Sequence, residues 1–201
     1  MKQPLVIAMT GASGAPYAVR LLEVLLSSAI PVHLTISPAG AQVIEQEMNL
    51  SIDLEDFNPT QLVGDTNADS LTYHNYRDYF TPIASGSFRT GGMVVTPCSG
   101  STLSGIAVGA SSNLIQRAAD VHLKERRKLI LVTRETPLSL VHIENMKKVT
   151  EAGAVVLPAM PGWYHGVESM DDLINFVVSR ILDQLEIEND LIARWASREG
   201  I

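Results

Sequence analysis

Short apolar runs recur along the chain, and between them apolar residues return every three or four positions. The runs lie at 5–9, 31–36, 92–97, 129–133 and 154–157. Runs of this length without polar alternation are typical of strands buried on both faces, and the intervening pattern is typical of helices that pack on them. This alternation predicts a single α/β domain with a mainly parallel sheet.

Turn residues mark where the helices are expected to begin. The helices are predicted to follow the turns at 11–14, 37–38 and 98–105, to span 113–128 and 137–148, and to close the chain from 170. The stretch 49–80 has weak periodicity and frequent Asp, Asn and Thr. We therefore expect it to connect its neighbours with little regular structure of its own.

The bulk composition limits the classes of function. With 201 residues, the chain is long enough for one well-packed domain. Its hydrophobic content of 46% and mean hydropathy of +0.14 are high for a lone monomer. Part of the apolar surface, including the tail at about 187–201, is therefore expected to lie against a neighbouring subunit. The net charge of −7 argues against a general nucleic-acid binder.

The chain shows no pattern typical of export or membrane insertion. No apolar run approaches the roughly 18 residues that a spanning helix needs, and residues 1–4 lead into the first strand without a signal-peptide layout. The single cysteine, Cys98, excludes an intrachain disulfide, which suits the cytoplasm. Cys98 lacks a surrounding His/Asp pattern, so it is expected to be a buried apolar residue rather than a nucleophile.

Polar, glycine-rich turns follow three of the predicted strands. Gly11, Ser13 and Gly14 form the first turn, where the N–H groups that begin a helix favour a phosphate. The hydroxyl-rich stretch 98–105 forms another, and Ser37 stands at the third. Because the carboxyl ends of parallel strands meet at one edge, the turns at 11–14 and 98–105 together predict a crevice for an extended ligand. The turn at 11–14 alone is explained equally well by an ordinary capped helix, and for Ser37 alone an ordinary N-cap is the favoured explanation.

Two charged features add candidate chemistry. Arg134 and Glu135 stand side by side at the end of a predicted strand. There they suit phosphate binding and proton transfer, or form an ordinary surface ion pair. Arg180 lies in an otherwise apolar helical pattern, so it is expected to meet an anion, either a ligand or an internal carboxylate.

Ordered motifs run along nearly the whole chain. They are 9–15 (MTGASGA), 84–87 (ASGS), 97–99 (PCS), 117–121 (RAADV), 123–127 (LKERR), 134–138 (RETPL) and 164–165 (YH). In these motifs the chain resembles the flavin prenyltransferases, the UbiX-like family. The resemblance implies a Rossmann-like (flavodoxin-like) three-layer sandwich that binds FMN and assembles as a homododecamer.

The resemblance also implies a reaction and a recipient for its product. A dimethylallyl group is joined from dimethylallyl phosphate to N5 and C6 of reduced FMN, which closes a fourth ring. The prenylated FMN is then used by a UbiD-type decarboxylase. No aspartate-rich motif that would hold Mg²⁺ on a pyrophosphate is present, so a monophosphate donor and chemistry without a metal are expected.

Roles for individual residues follow from the same resemblance. The implied FMN contacts are Gly11, Ala12, Ser13, Ser37, Ser99, Gly100, Ser101, Thr102 and Arg134. The implied contacts to the prenyl donor are Tyr164, Arg180, Lys124, Glu47 and Trp195, with Lys124 and Glu47 contributed across subunits. Glu135 is the implied proton-transfer residue, with Ser13 beside it. Trp163 stands where a Phe is common, and its bulk is expected to reshape the prenyl pocket.

Two other functions stay open. A flavin-dependent cysteine decarboxylase of related fold would use a histidine early in the chain and a Pro-x-Met-Asn-type segment. The five histidines do not fit that pattern, and the segment is missing. An FMN carrier without catalysis is the other alternative. It would not need Arg134, Glu135, Tyr164 and Arg180 around a second anion site.

Overall fold

A six-stranded, all-parallel sheet forms the middle layer of the computed structural model, which describes residues 3–65 and 68–195. The strands are β1 (Leu5–Met9), β2 (Val32–Ile36), β3 (Leu71–Tyr73), β4 (Gly92–Cys98), β5 (Leu129–Thr133) and β6 (Val155–Val156). Their order across the sheet is β3-β2-β1-β4-β5-β6. Residues 1–2 and residues 196–201, which belong to the tail predicted to contact a neighbouring subunit, lie outside the described residues.

Seven α-helices connect the strands in the described part of the chain. They are α1 (Ala15–Ser27), α2 (Pro38–Met48), α3 (Thr60–Val63), α4 (Gly100–Ala107), α5 (Leu114–Lys124), α6 (Leu140–Glu151) and α7 (Met170–Gln184). Short 3₁₀ turns at Ala68–Ser70 and Pro82–Ala84 complete the elements. None of the helices within 3–65 and 68–195 is long and apolar enough to cross a membrane.

Helices cover both faces of the sheet, which explains the nearly continuous apolar strands. Successive side chains of a strand point to opposite faces. In β1, Ile7 and Met9 therefore pack with α1, α2 and α7, whereas Val6 and Ala8 pack with α4, α5 and α6. All five residues of β1 are buried. The predicted α/β class with a mainly parallel sheet is confirmed, with helical layers on both sides.

The order of the strands reverses between β1 and β4. Strand β1 pairs with β2 on one side and with β4 on the other, in both cases parallel. Apart from the short edge strand β3, the order is that of flavodoxin-like folds. In such sheets ligands bind beyond the carboxyl ends of the strands at this reversal. The turns after β1 and β4 are therefore the place to look for a site.

Three predicted boundaries differ from the structure. The stretch 49–80 contains α3 and the three-residue strand β3, which extends the sheet beside β2. Helix α6 begins at Leu140 rather than at residue 137, because Ser139 caps it: its hydroxyl accepts from the His142 N–H, and the His142 ring accepts from the Ser139 N–H. Helix α5 ends at Lys124, before the predicted end at residue 128.

Candidate functional site

Hydrogen bonds join the ends of β1 and β4 at the reversal point. The Thr10 hydroxyl donates to the Pro97 carbonyl at 2.7 Å and accepts from the Ser99 N–H at 2.8 Å. Thr10 is buried, so these bonds are shielded from water. They set the turn after β1 and the turn after β4 side by side. Sequence reasoning missed Thr10, because its hydroxyl acts on a residue 89 positions away.

The turn after β4 is rich in hydroxyl groups. The Ser99 side chain caps α4 by accepting from the Thr102 N–H at 3.3 Å. Its Oγ also lies 3.1 Å from both the Ser101 Oγ and the Thr102 Oγ1. Together with Gly100, these residues form a polar first turn at the carboxyl edge of the sheet. They suit hydrogen bonding to a phosphate or a polyol chain.

Helix α2 is pressed closely against the turn after β1. Ser37 caps α2 by accepting from the Gly40 N–H at 3.0 Å. A Cβ on Gly40 would stand 2.8 Å from the Met9 carbonyl oxygen, and a Cβ on Gly11 would stand 2.5 Å from the Ala39 Cβ. A side chain at either glycine would therefore push α2 away. This contact brings Ser37, Gly11 and the buried Ala12 to one edge.

A carboxylate occupies the start of α1. Glu47, near the end of α2, accepts from the N–H groups of Gly14 and Ala15, each at 2.9 Å. The sequence predicts that these N–H groups face a phosphate, and in this chain they are satisfied internally. Ser13 does not cap the helix either, since the N-cap residue is Gly14 at φ 124. Within this subunit these two N–H groups are therefore not free to bind an anion.

Arg134 and Glu47 bind the same peptide group, Arg134 at its carbonyl and Glu47 at its N–H. The Arg134 Nε donates to the Ser13 carbonyl at 3.3 Å, while Glu47 accepts from the Gly14 N–H. The Tyr17 ring covers this turn, because a Cβ on Gly14 would lie 2.9 Å from the ring. Burial raises the pKa of Tyr17, and Glu47 raises it further, while Arg134 opposes both. The exposed Ser13 side chain is thus carried on a firmly held backbone.

Glu135 lies next to Arg134 at the mouth of a small cavity. This cavity, of about 80 Å³, is lined by Arg134, Glu135, Pro158 and Met160 among others. A second cavity of about 230 Å³ shares Pro158 and Met160 and is lined on its far side by Arg180. Pro158 and Met160 of the loop that follows β6 line both cavities. The exposed Glu135 carboxylate has no hydrogen-bond partner among the described residues.

An aromatic cluster forms where this loop meets α7. The Tyr164 ring stands edge-on to Phe176, His165 and Trp195, with ring centres 5.8, 5.9 and 5.1 Å away. His165 stacks on Phe176, and its Nε2 lies 3.1 Å from the Asp172 carbonyl oxygen. The predicted residues Tyr164 and Trp195 are therefore in contact. Trp163 is 71% exposed and projects from the same loop.

Arg180 meets an internal carboxylate. Its Nη1 donates to Asp183 Oδ2 at 2.6 Å, one helical turn further along α7. The two alternatives for Arg180 were a ligand and an internal carboxylate, and the structure shows the second. The Arg180 side chain is 47% exposed, so an external anion can still reach it. Asp183 and Arg194, which also contacts Asp183, were missed because nothing in the local sequence marks them.

Lys124 lies at the opposite edge of the sheet from these groups. It ends α5, which leads into the amino end of β5, and it forms an ion pair with Glu125. Both side chains lie over Gly86, where a Cβ would stand 2.8 Å from the Lys124 Nζ. The four predicted phosphate contacts thus occupy three places in one subunit. Tyr164 and Arg180 lie by the β6 edge, Glu47 caps α1, and Lys124 is at the amino edge.

Other candidate features of the molecule lie outside this edge. Cys98 is buried, as predicted, and burial raises the pKa of its thiol to about 12. Among residues 3–65 and 68–195, no group of three or more His, Cys, Asp or Glu side chains is placed to hold a metal ion. A cavity of about 430 Å³ lies between α1 and α7, lined by Arg20, Glu23 and Asp171 among others, and contains none of the predicted site residues.

Known proteins resemble this chain over nearly its full length. The model of the Flavoprotein family matches residues 1–182. Flavin prenyltransferase UbiX of Alkalihalophilus pseudofirmus is 50% identical over 189 residues, which cover 94% of each chain.

Solved structures agree with this similarity. A structure of AnUbiX (PadA1) in complex with FMN and dimethylallyl pyrophosphate matches with a TM-score of 0.87 and 40% identity, covering 99% of this chain and all of the other. A dodecameric, FMN-dependent UbiX-like decarboxylase from Escherichia coli O157:H7 matches with a TM-score of 0.84 and 41% identity, covering 96% of this chain and all of the other.

Proposed function

Since this chain belongs to the flavin prenyltransferases of the Flavoprotein family and is thus a transferase, we propose that it makes prenylated FMN. The dimethylallyl group comes from dimethylallyl phosphate and is joined to N5 and C6 of reduced FMN. The bond between the dimethylallyl group and the phosphate breaks, a bond to N5 forms, inorganic phosphate leaves and N5 loses its proton. The alkene of the attached group then gains a proton at its middle carbon while its tertiary carbon bonds to C6, and C6 loses its proton. A UbiD-type decarboxylase is the proposed user of the product.

One observation carries this proposal. Besides the hydroxyl-rich turns that suit FMN, Arg180 lines a separate cavity of about 230 Å³, which shares Pro158 and Met160 with the cavity of Arg134 and Glu135. A protein that only carries FMN needs one ligand-binding site. A reaction between a flavin and a second anionic substrate needs two neighbouring binding sites, because the reacting atoms must come within contact distance.

The carboxyl edge of the sheet fits FMN as the acceptor substrate. The hydroxyls of Ser37, Ser99, Ser101 and Thr102 face the reversal point, where a phosphate and a ribityl chain can accept and donate hydrogen bonds. Arg134 adds a cation beside the Ser13 turn. Glu47 already satisfies the first N–H groups of α1, so we assign the flavin phosphate to the hydroxyl-rich turns. Reduced FMN supplies electron-rich N5 and C6 atoms.

Cations and a phenol are proposed to bind the phosphate that leaves. Tyr164 and Arg180 supply a hydroxyl donor and a guanidinium from the loop and helix beside β6. Charge-assisted hydrogen bonds of this kind are the stronger class and stabilise charge that develops on the leaving oxygen. Lys124 is proposed to reach this phosphate from a neighbouring subunit, since its own subunit holds it at the amino edge. Glu47 of a neighbouring subunit is proposed to border the donor site without bonding the phosphate, since carboxylate and phosphate repel each other.

Proton transfer is assigned to Glu135, with Ser13 beside it. Closing the second bond requires that C6 lose a proton and that the middle carbon of the dimethylallyl group gain one, and Glu135 is a carboxylate that lines the cavity beside Arg134. Arg134 holds the Ser13 carbonyl and so places Glu135 and Ser13 on neighbouring segments. The exposed aromatic rings of Trp163 and Trp195 are proposed to stabilise positive charge on the allylic group.

A homododecamer and a cytoplasmic location complete the proposal. A relative 41% identical to this chain is described as dodecameric. Large exposed apolar side chains support subunit contacts here, among them Phe80, Leu140 and Val141. The one cysteine is a buried free thiol, which suits a reducing compartment.

The mass of the extracted flavin tests this proposal. The protein is incubated with FMN, a reductant and dimethylallyl phosphate, and the flavin is then released and weighed by mass spectrometry. Without air, we expect the mass of reduced FMN plus one C₅H₈ unit. Unchanged FMN after incubation would favour a carrier, and release of CO₂ from a peptidyl or pantothenoyl cysteine would favour a cysteine decarboxylase.

A further inference from the structure

Two guanidinium groups share the carboxylate of Asp183. Arg194 binds it with two parallel hydrogen bonds, Nη1 to Oδ2 at 2.9 Å and Nη2 to Oδ1 at 2.7 Å. Arg180 binds it with one, from Nη1 to Oδ2 at 2.6 Å. The two-point contact is the geometrically preferred one between guanidinium and carboxylate. Asp183 is therefore held mainly by Arg194, and these hydrogen bonds, with burial opposing them, lower its pKa.

The charges of this triad do not cancel. Two cations and one anion leave a net charge of +1, and Asp183 is the less exposed member, at 17% against 47% for Arg180 and 49% for Arg194. Within the described residues, Arg180 makes no polar contact besides its single bond to Asp183. The uncompensated charge therefore resides on an accessible guanidinium that lines the cavity beside β6.

Arg194 also holds the segment that follows α7 against this helix. It follows the segment after α7, and its Nη2 lies 3.4 Å from the Asn189 carbonyl oxygen as well. The next residue, Trp195, stands edge-on to Tyr164 at 5.1 Å and 88°. The ion pair with Asp183 thus fixes the segment that brings Trp195 to Tyr164.

We propose that Arg194 is a positioning residue with two separable effects: it neutralises Asp183, so that Arg180 stays available to a phosphate, and it keeps Trp195 against Tyr164. Without Arg194, Asp183 would pair with Arg180 alone and cancel the charge that the phosphate needs. This inference rests on the proposed function, since it assigns Arg180 to the donor phosphate.

Substitutions at Arg194 and Asp183 separate the two effects. In Arg194→Gln we expect the KM for dimethylallyl phosphate to rise roughly tenfold, the scale of one lost charge-assisted contact. In the double variant Asp183→Asn/Arg194→Gln, Arg180 has no carboxylate to pair with, so that KM should return to within about threefold of wild type. Asp183→Asn alone should also leave KM within about threefold, since it frees Arg180.

The turnover number, kcat, measures the second effect, which is the contact of Trp195 with Tyr164. All three variants release the tail, so kcat should fall in each, whether or not KM changes. Trp195 emission is read in a Trp163→Phe background, where Trp195 is the remaining tryptophan. Trp195 is already 73% exposed, so the readout is its fluorescence anisotropy, which should fall in every variant because the released segment moves more freely. Arg77→Gln, at an exposed arginine beside Tyr76, serves as the matched control and should change neither KM nor kcat.

The outcomes distinguish this inference from the proposed function. If wild-type protein yields no prenylated flavin, the proposed function fails. If wild type is active but Arg194→Gln keeps its KM, or Asp183→Asn does not restore KM in the double variant, the inference about Arg194 is overturned. Should Arg194→Gln fail to fold, Asp183→Asn alone decides: a tenfold rise in its KM contradicts the proposed charge balance.

Discussion

At the scale of single residues, the peptide group between Ser13 and Gly14 is bound at both ends by charged side chains. The Ser13 carbonyl accepts from Arg134, and the adjoining Gly14 N–H donates to Glu47, so opposite charges align with opposite ends of the peptide dipole. The Ser13 hydroxyl is left exposed on this fixed backbone. A side chain presented in this way loses little entropy when it contacts a substrate.

Glu135 provides the sharpest test of the chemistry. A carboxylate near a phosphate opposes its binding, so its place there favours a role in proton transfer. Glu135→Gln keeps the shape and removes the basic oxygen. We expect normal binding of FMN and dimethylallyl phosphate but formation of the ring-closed product slowed at least roughly a hundredfold.

Rapid mixing of the reduced complex, followed by mass analysis of the flavin, measures this rate. Glu144→Gln, at an exposed position of α6, is the matched control and should turn over normally. Turnover of Glu135→Gln at the rate of wild type would remove Glu135 from the mechanism.

His122 makes stability depend on pH. It is buried, with Nδ1 2.7 Å from the Ala118 carbonyl oxygen and Nε2 2.8 Å from the Thr90 hydroxyl, which suits the neutral ring. Burial lowers its pKa to about 4, from an ordinary 6.5. Between these values the unfolded chain binds a proton that the folded chain does not.

The free energy of unfolding should therefore fall as the pH drops from about 6.5 to about 4. Denaturant unfolding across this range measures the slope. The His33–His74 pair contributes in the same direction, since burial and His33 lower the pKa of His74 to about 4. His122→Gln should flatten the slope, and an unchanged slope would show that His122 titrates normally.

At the scale of elements, α2 does more than connect two strands. Its first turn carries Ser37, and its last turn returns Glu47 to the same edge of the sheet. Glycines at positions 11 and 40 permit the close packing. The helix therefore lies along the carboxyl edge and links the turns after β1 and β2.

Removal of the Glu47 side chain should loosen α1. Glu47→Ala leaves the N–H groups of Gly14 and Ala15 without their cap, which typically costs about 1 kcal/mol in unfolding free energy. Urea denaturation monitored by circular dichroism measures the difference. Glu45→Ala, two residues earlier and exposed, is the control. Equal stability of the two variants would show that the Glu47 contact does not stabilise the helix.

At the scale of the whole molecule, the distribution of predicted residues argues for a site shared between subunits. Lys124 lies at the amino edge of the sheet, whereas Arg134 and Glu135 follow the carboxyl end of β5. One subunit cannot bring these groups to one phosphate without unfolding the sheet. A neighbouring copy can, because closed assemblies set different surfaces of one chain against each other.

Mixed assemblies test this sharing. Lys124→Ala and Glu135→Gln proteins are unfolded and refolded together, so that their subunits mix. If one site takes the two residues from different chains, about a quarter of the sites in an equal random mixture regain both. We expect activity to reappear in the mixture, while each variant refolded alone stays far below wild type. No recovery in mixed assemblies would contradict the sharing, and a monodisperse monomer in solution would contradict the assembly itself.

Local patterns in the sequence were enough to predict most of the elements and the turns that carry the site. Five strands and their parallel arrangement follow from buried apolar runs, since both faces of such strands must be covered. The turns with Gly11, Ser37 and Ser99 follow from residues that cap helices. Strand β3 was not predicted, because three residues are too few to show a repeating hydrophobic pattern. Its pairing with β2, which stabilises it, is not visible in the local sequence.

Only the tertiary structure decided which charges meet. Glu47 lies 33 residues from Gly14, and Arg134 lies 121 from Ser13, so neither contact leaves a local pattern. The same holds for Arg194 and Asp183, and for the separation of Lys124 from Arg134 by the length of a strand. Apolar burial is non-directional and shows in the order of residues, whereas a hydrogen bond or ion pair depends on positions that exist only once the sheet has formed.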